Sequence, residues 1–231
     1  MLKHRSTKKE LLDEDNIPKE DLFQNLKELN TINTLLGGYN ITFSALKKTL
    51  KPETNYSLVD IGCGGGDTLK HINKWAKRNK QAINLFGIDI KPVCIEYASK
   101  NTTNENIAFI CDDYRNVFNH IKQIDVIHAC LFCHHLTESE LIELVQFAKK
   151  NKTTLIINDL ERNVIAYYAI KILTKLFSKS YLVKNDAPLS VARGFKKKEW
   201  LDILKKSGAT KYSVTAKWAF RHEVIVYGNQ G

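Results

Sequence analysis

The chain has 231 residues, 43% of them hydrophobic and 10% aromatic, so it is long enough to bury a core and too apolar to be disordered. Lysine and arginine outnumber aspartate and glutamate 35 to 25, a net charge of +10, but the lysines are scattered over helix exteriors, as on a solvated surface. No signal-peptide pattern follows Lys3, His4 and Arg5, and no apolar run of about 18 residues occurs, which excludes an ordinary transmembrane helix and makes a cytoplasmic protein the expectation.

Residues 1–20 are charged and expected to be partly ordered at most. From Pro18 onward, Leu22, Leu26, Leu29 and Ile32 recur at helical spacing until Gly37 and Gly38, and a second helix over 41–50 stops before Pro52. This pair (1–52) precedes any strand and reads as a helical cap on the sheet rim or over a ligand. Strands at 57–61, 83–89, 107–111, 124–130 and 153–158 then alternate with helices at 67–78, 92–100, 115–121 and 138–150. Such alternation predicts an α/β, doubly wound, Rossmann-like and mostly parallel sheet, with helices on both faces and a binding crevice at the strands' C-terminal ends. After Asp159 the rhythm breaks. An apolar helix from Val164 to Phe177 and a loop carrying Asp186, Pro188 and Arg193 make a helical insertion over 160–195. Helix 197–206 and strands 211–218 and 222–227 follow, the last two as an antiparallel hairpin on the edge of a seven-stranded sheet. One domain over 1–231 is expected.

The organising stretch is Leu58–Thr68, where an apolar strand runs into Gly62, Gly64, Gly65 and Gly66 and then a helix. Glycines without Cβ and a helix N-terminus make a ligand cradle. The dinucleotide fingerprint needs glycine at its sixth position, where Asp67 stands when counting from Gly62, so a pyrophosphate is disfavoured. The acidic-x-Gly-x-Gly-x-Gly pattern of Asp60-Ile-Gly62-Cys63-Gly64-Gly-Gly66 instead resembles that of the class I S-adenosylmethionine-dependent methyltransferases. The resemblance implies that Asp60, Gly62, Cys63, Gly64 and Gly66 pass beneath the methionine and ribose of that cofactor.

The second strand ends in Asp89-Ile90, 27 residues beyond Gly62 for the carboxylate, where an acidic side chain can accept both hydrogens of a ribose diol. By the same resemblance Ile90 lies against adenine, and Asp112 or Asp113, with Tyr114, binds its amino group and ring nitrogen. The fourth strand leads through Leu131, placed near the cofactor, to His134 and His135 near the acceptor. One of the two histidines is expected to face the crevice as a general base. Strand neighbours point to opposite sides, and neither HxxxH nor a second CxxC accompanies Cys130 and Cys133, so no metal is expected. The five cysteines, an odd number with Cys63, Cys94 and Cys111, read as core thiols rather than a disulfide framework.

In this fold an insertion after strand five usually lies over the acceptor site, which makes Tyr167, Tyr168, Phe177 and Arg193 substrate-binding candidates. Cap, insertion and paired histidines look most similar to small-molecule methyltransferases of the ubiquinone/menaquinone type and their phenolic or polyketide relatives. The expected activity is methyl transfer from S-adenosylmethionine, leaving S-adenosylhomocysteine, to a small apolar, phenolic or lipid-like acceptor. A nucleic-acid acceptor is disfavoured because neither an Asn/Asp-Pro-Pro-aromatic tetrad nor a Pro-Cys nucleophile follows strand four, and no RNA-binding module is recognisable. A third reading, compatible with the first, is docking on a membrane surface through the insertion helix and Lys171, Lys175, Lys179 and Lys184. No protein partner is expected.

Overall fold

A computed structural model describes residues 2–14, 16–102 and 107–228; Met1, Asp15 and residues 103–106 and 229–231, which the one-domain expectation takes in, lie outside the described residues. Helices α1 (Lys19–Leu35) and α2 (Tyr39–Thr49) come first. Strand β1 (Tyr56–Ile61) then alternates with α3 (Asp67–Arg78), β2 (Ile83–Asp89), α4 (Pro92–Lys100), β3 (Ile107–Cys111), α5 (Val117–His120), β4 (Val126–Cys130), α6 (Glu138–Lys150) and β5 (Thr154–Leu160). Helices α7 (Val164–Phe177), α8 (Tyr181–Arg193) and α9 (Lys197–Lys206) precede the hairpin of β6 (Tyr212–Lys217) and β7 (Arg221–Val226).

The seven strands form one sheet in the order β3-β2-β1-β4-β5-β7-β6. Pairing is parallel from β3 to β5, and β7 and β6 are antiparallel. Because side chains alternate along a strand, Leu58 of β1 faces one layer, with Leu69 and Ile72 of α3 and Ala45 and Leu46 of α2. Val59 and Ile61 face the other, with Leu141 and Leu144 of α6 and Trp200 and Ile203 of α9. Both layers are dry, as apolar strands of a parallel sheet require. The chain winds from β1 to β2 and β3 on one side and to β4 and β5 on the other. The two windings part at the C-terminal end of β1, where the glycine stretch lies.

Four local expectations are corrected. Residues 2–14 pack on the molecule: Ser6 donates its backbone N–H to the Ala192 carbonyl at 3.0 Å, and Glu10 is buried. The Asp186–Arg193 stretch is helical despite Pro188. Ser180 caps α8 by accepting from the Val183 N–H at 3.3 Å, and Asp186 takes the N–H groups of Leu11 and Leu12 at 2.9 Å each. The helix expected over 115–121 is a 3-10 turn (Tyr114–Asn116) followed by the short α5. All five thiols are free, but they are not all in the core: Cys111 at the end of β3 is exposed and Cys130 at the end of β4 is half-buried.

A buried chain of hydrogen bonds ties the cap to the sheet. Asn158 on β5 donates to the Thr42 hydroxyl at 3.2 Å and to the Gly38 carbonyl at 2.9 Å. Thr42 meets Nε2 of His128 at 3.0 Å, and His128 Nδ1 meets Asp60 at 2.7 Å. With Nδ1 protonated every donor in this chain finds a protein acceptor, so α2, β5, β4 and β1 are tied together. Replacing His128 with Ala leaves the Asp60 carboxylate buried without its partner, and urea unfolding should show a loss of about 3–5 kcal/mol. A loss below about 1 kcal/mol would contradict this account.

Candidate active site

Gly62, Gly64 and Gly66 all have positive φ, at 63°, 51° and 72°, so the loop after β1 curls in a conformation that disfavours side chains. A Cβ on Gly62 would come within 2.2 Å of the Phe132 ring, and one on Gly66 within 2.7 Å of Phe109. Gly64 is different: its Cβ would meet only Leu26, at 3.5 Å. Gly62 and Gly66 are therefore glycines for the sake of the protein's own packing, while Gly64 presents backbone to an opening.

That opening is a cavity of about 360 Å³ at the C-terminal ends of β1, β2, β3 and β4, roofed on one side by Leu26, Leu29 and Asn33 of α1. Gly62, Cys63, Gly64, Asp89, Ile90, Asp112, Asp113, Tyr114 and Leu131 line it. Asp89 accepts from the Gly64 N–H through one oxygen and the Lys91 N–H through the other, both at 2.9 Å, which aims its carboxylate along the loop. Burial raises the Asp89 pKa, and the two amide bonds oppose the rise. Asp112 is held by Asn116 at 2.9 Å and His120 at 2.7 Å, and Asp113 by the Arg115 N–H at 2.9 Å, so both carboxylates are fixed at the cavity rim. Tyr114 stands edge-on to Phe132, ring centroids 5.7 Å apart. Leu131 takes φ +54° as the chain leaves β4.

Asp60 and Gly66 do not line the cavity. Asp60, expected beneath a ligand, lies behind the loop and is engaged by His128.

The two histidines do not stand on a strand. Cys133–His135 forms a 3-10 turn, and both rings turn toward residue Glu10 with centroids 4.4 Å apart. His134 is buried: its N–H and Nδ1 both meet the Asp159 carboxylate, at 2.9 and 2.7 Å, and its Nε2 lies 3.6 Å from Glu10. His135 lines the cavity, with Nδ1 3.2 Å from Asp13 and Nε2 3.8 Å from Glu10. Of the two, His135 lines the cavity and His134 is buried.

Arg193, expected to meet the acceptor, is instead buried and spent on the chain. It donates to the carbonyls of His134 (3.1 Å), His135 (3.0 Å) and Lys8 (2.8 Å). Arg5 completes the clamp with bonds to the His134, Leu136 and Arg193 carbonyls at 2.5, 2.6 and 2.6 Å. Tyr167 and Tyr168 lie outside the cavity wall, on α7, and Phe177 lines a separate groove. Glu10, Asp13 and Arg5 escaped the sequence reading, because nothing local distinguishes them from other charges in a polar leader.

Burial raises Glu10 to about 7, against the opposing pull of His135 and a hydrogen bond from Ser190. At Asp13 burial also pushes upward, but the hydrogen bond and charge of His135 outweigh it and leave the carboxyl at about 2. The buried Asp159 is likewise held below its ordinary value, His134 overcoming burial. One atom each of Glu10, His134 and His135 lie within 4.8 Å of one another, a spacing that could hold a metal ion. Yet Arg193 Nε is 3.9 Å from the Glu10 oxygen that already accepts from Ser190, so a cation would face a guanidinium. A proton-sharing cluster suits this charge pattern better. Cys130, also on the wall, has its thiol pushed up to about 12 by burial and is a poor nucleophile.

Residues 58–155 match the family model described as a methyltransferase domain. Among solved structures, a plantazolicin methyltransferase, BpumL, in complex with SAH has a TM-score of 0.63 at 20% identity, covering 91% of this chain and 95% of that one. Human N-acetylserotonin methyltransferase in complex with SAM has a TM-score of 0.64 at 13% identity over 91% of this chain. The CMeT domain of the citrinin polyketide synthase has a TM-score of 0.57 at 12% identity over 79%. The chain spans 56% and 48% of the length of these last two. No curated protein sequence matches significantly. The family match covers under half of the chain, and the solved structures show that it shares the fold of these methyltransferases.

The cluster carries a pH signature. Raised from 4.5 to about 7, Glu10 holds its proton more tightly in the folded chain, so its contribution to stability is full below pH 4.5 and lost as the pH rises through 7. Glu10→Gln should therefore gain stability relative to wild type, by a few kcal/mol at most, between about pH 5 and pH 8. Urea unfolding at both pH values checks this, and a constant or opposite difference would contradict it.

Proposed function

We propose that the chain is an S-adenosylmethionine-dependent methyltransferase acting on a small acceptor that carries an acidic, phenol-like hydroxyl. The observation that carries this reading is His135, which stands in the same cavity wall as the glycine loop, Asp89 and Asp113, with Asp13 behind it. The residues fit the cofactor: Gly64 is open toward the cavity, Asp89 points a carboxylate along the loop, and Asp112 and Asp113 are fixed at the third strand's end. Gly62, Cys63 and Gly64 would hold its methionine portion, Asp89 its ribose, and Ile90, Tyr114 and Asp112 or Asp113 its adenine. Bound there, it supplies an electrophilic methyl on a sulfonium that is its own leaving group.

The protein's own work is then to align the acceptor, exclude water and take a proton. Leu12, Leu136 and Phe132 add apolar surface to the cavity that His135 also lines, suited to an aromatic ring. His135 Nδ1 faces the Asp13 carboxylate at 3.2 Å, and a ring carrying its hydrogen on Nδ1 keeps a lone pair on Nε2 for the acceptor's hydroxyl proton. The nearby Asp13 carboxylate, held at about 2, stays charged and stabilises the imidazolium that results. His134 holds the turn in place through Asp159, so its role is positioning. The acceptors named for BpumL and the human enzyme differ in kind, which fits a family whose cofactor half is shared and whose acceptor half varies.

A phenolic acceptor panel with S-adenosylmethionine, read as S-adenosylhomocysteine formed, tests the reading. His135→Ala should lower kcat by about 10²–10⁴-fold while S-adenosylhomocysteine affinity stays within a few-fold. Turnover within a few-fold of wild type would remove the base from the mechanism, and no turnover by wild type on any hydroxyl acceptor would count against the acceptor class.

A further inference from the structure

Helix α7 is mostly apolar, with Lys171 and Lys175 its charged residues, and buries almost nothing: Thr174 is its one buried residue. At about 3.6 residues per turn, Ile165, Ala169, Ile172 and Leu176 form a single outward stripe, with Ile165 at 68%, Ile172 at 58% and Leu176 at 67% exposure. Lys171 and Lys175 run alongside it, and Lys179 and Lys184 follow, all exposed. No aspartate or glutamate occurs from Arg162 to Asn185.

Two further exposed apolar groups belong to the same region. Trp218, 79% exposed, sits in the β6–β7 turn, which adjoins the start of α7 because Glu161 donates its N–H to the Phe220 carbonyl at 2.7 Å. Leu35, also 79% exposed, ends α1 and lines with Ile32, Leu173 and Phe177 an apolar groove of about 550 Å³ between α1 and α7. The turn between α7 and α8 is held there by Glu28 of α1, which accepts from the backbone N–H groups of Lys179 and Ser180 at 3.0 and 3.2 Å.

Charge decides what covers this face. In a two-fold contact between copies the patch would meet itself, bringing Lys171 and Lys175 against lysines, while Glu28 in the groove is already engaged by Ser178, Lys179 and Ser180. An anionic lipid surface answers both properties, taking the apolar stripe between its headgroups and the lysines at its phosphates. An exposed tryptophan at the edge suits the same boundary. Among the described residues no helix is long and apolar enough to cross a membrane, so contact would be from one side.

We propose that α7, with Trp218 and Leu35 at its borders, lies on the surface of an anionic membrane. This surface is separate from the cradle and does not depend on which acceptor the site takes. Full-length protein is sedimented with vesicles of phosphatidylcholine containing roughly one-quarter phosphatidylglycerol, and with phosphatidylcholine alone. Wild type should bind the anionic vesicles about tenfold or more tightly and lose most of that binding at high salt. The triple variant Ile165→Glu, Ile172→Glu, Leu176→Glu should lose about tenfold or more, and Lys171→Gln with Lys175→Gln about tenfold on anionic vesicles only. Both variants keep the wild-type unfolding midpoint, since these side chains are exposed. The proposal is overturned if wild type stays in the supernatant, if the triple variant sediments like wild type, or if light scattering shows a wild-type dimer that the triple variant dissociates.

Discussion

Two guanidinium groups hold the histidine end of the cavity together. Arg5 and Arg193 between them donate to the carbonyls of His134, His135 and Leu136, the turn that presents the imidazoles. A 3-10 turn at a strand end leaves such carbonyls without intrahelical partners, and burying them unpaired would be costly. Burial and the neighbouring Arg193 lower Arg5 only to about 10, so its charge persists at neutral pH. Arg5 also lies over the Phe195 ring, 4.0 Å from its centroid. The clamp makes the polar leader and α8 parts of one site: the leader brings Glu10 and Asp13, and α8 brings Ser190 and Arg193.

The cofactor end is built by different means. There the backbone does the shaping, through positive-φ glycines and a single well-held carboxylate at the end of β2. Asp60 supports this end from behind. Its bond to His128, continued through Thr42 to Asn158, locks the strand that feeds the loop to its neighbours and to α2. The proposed division of labour follows. A rigid cradle fixes the methyl donor, and a charged, arginine-held cluster governs the proton at the acceptor.

What could be read in the sequence was what local pattern determines. Strand periodicity, the glycine spacing and the offset of Asp89 from Gly62 located the sheet, its binding edge and most of the cavity wall, because each is fixed within about 30 residues. The acceptor end was not local. Glu10 meets His134 and Asp13 meets His135 across more than a hundred residues, so the leader looked like solvated charge. Pro188 hid a helix whose stability comes from the Ser180 cap and from packing against that leader. Arg193 looked free to bind a ligand because carbonyl acceptors leave no mark on a sequence. The double histidine was visible, but not which ring faces the cavity, since a 3-10 turn rather than a strand sets their directions.

The central claim is that this cavity holds a methyl donor through Asp89 and the glycine loop. Calorimetric titration with S-adenosylhomocysteine tests it most directly. The account predicts saturable binding at one site per chain, weakened by about 1–3 kcal/mol or more in Asp89→Ala, whose lost carboxylate would have accepted the ribose hydrogens. No binding by the folded wild-type chain, or equal binding by Asp89→Ala, would contradict it.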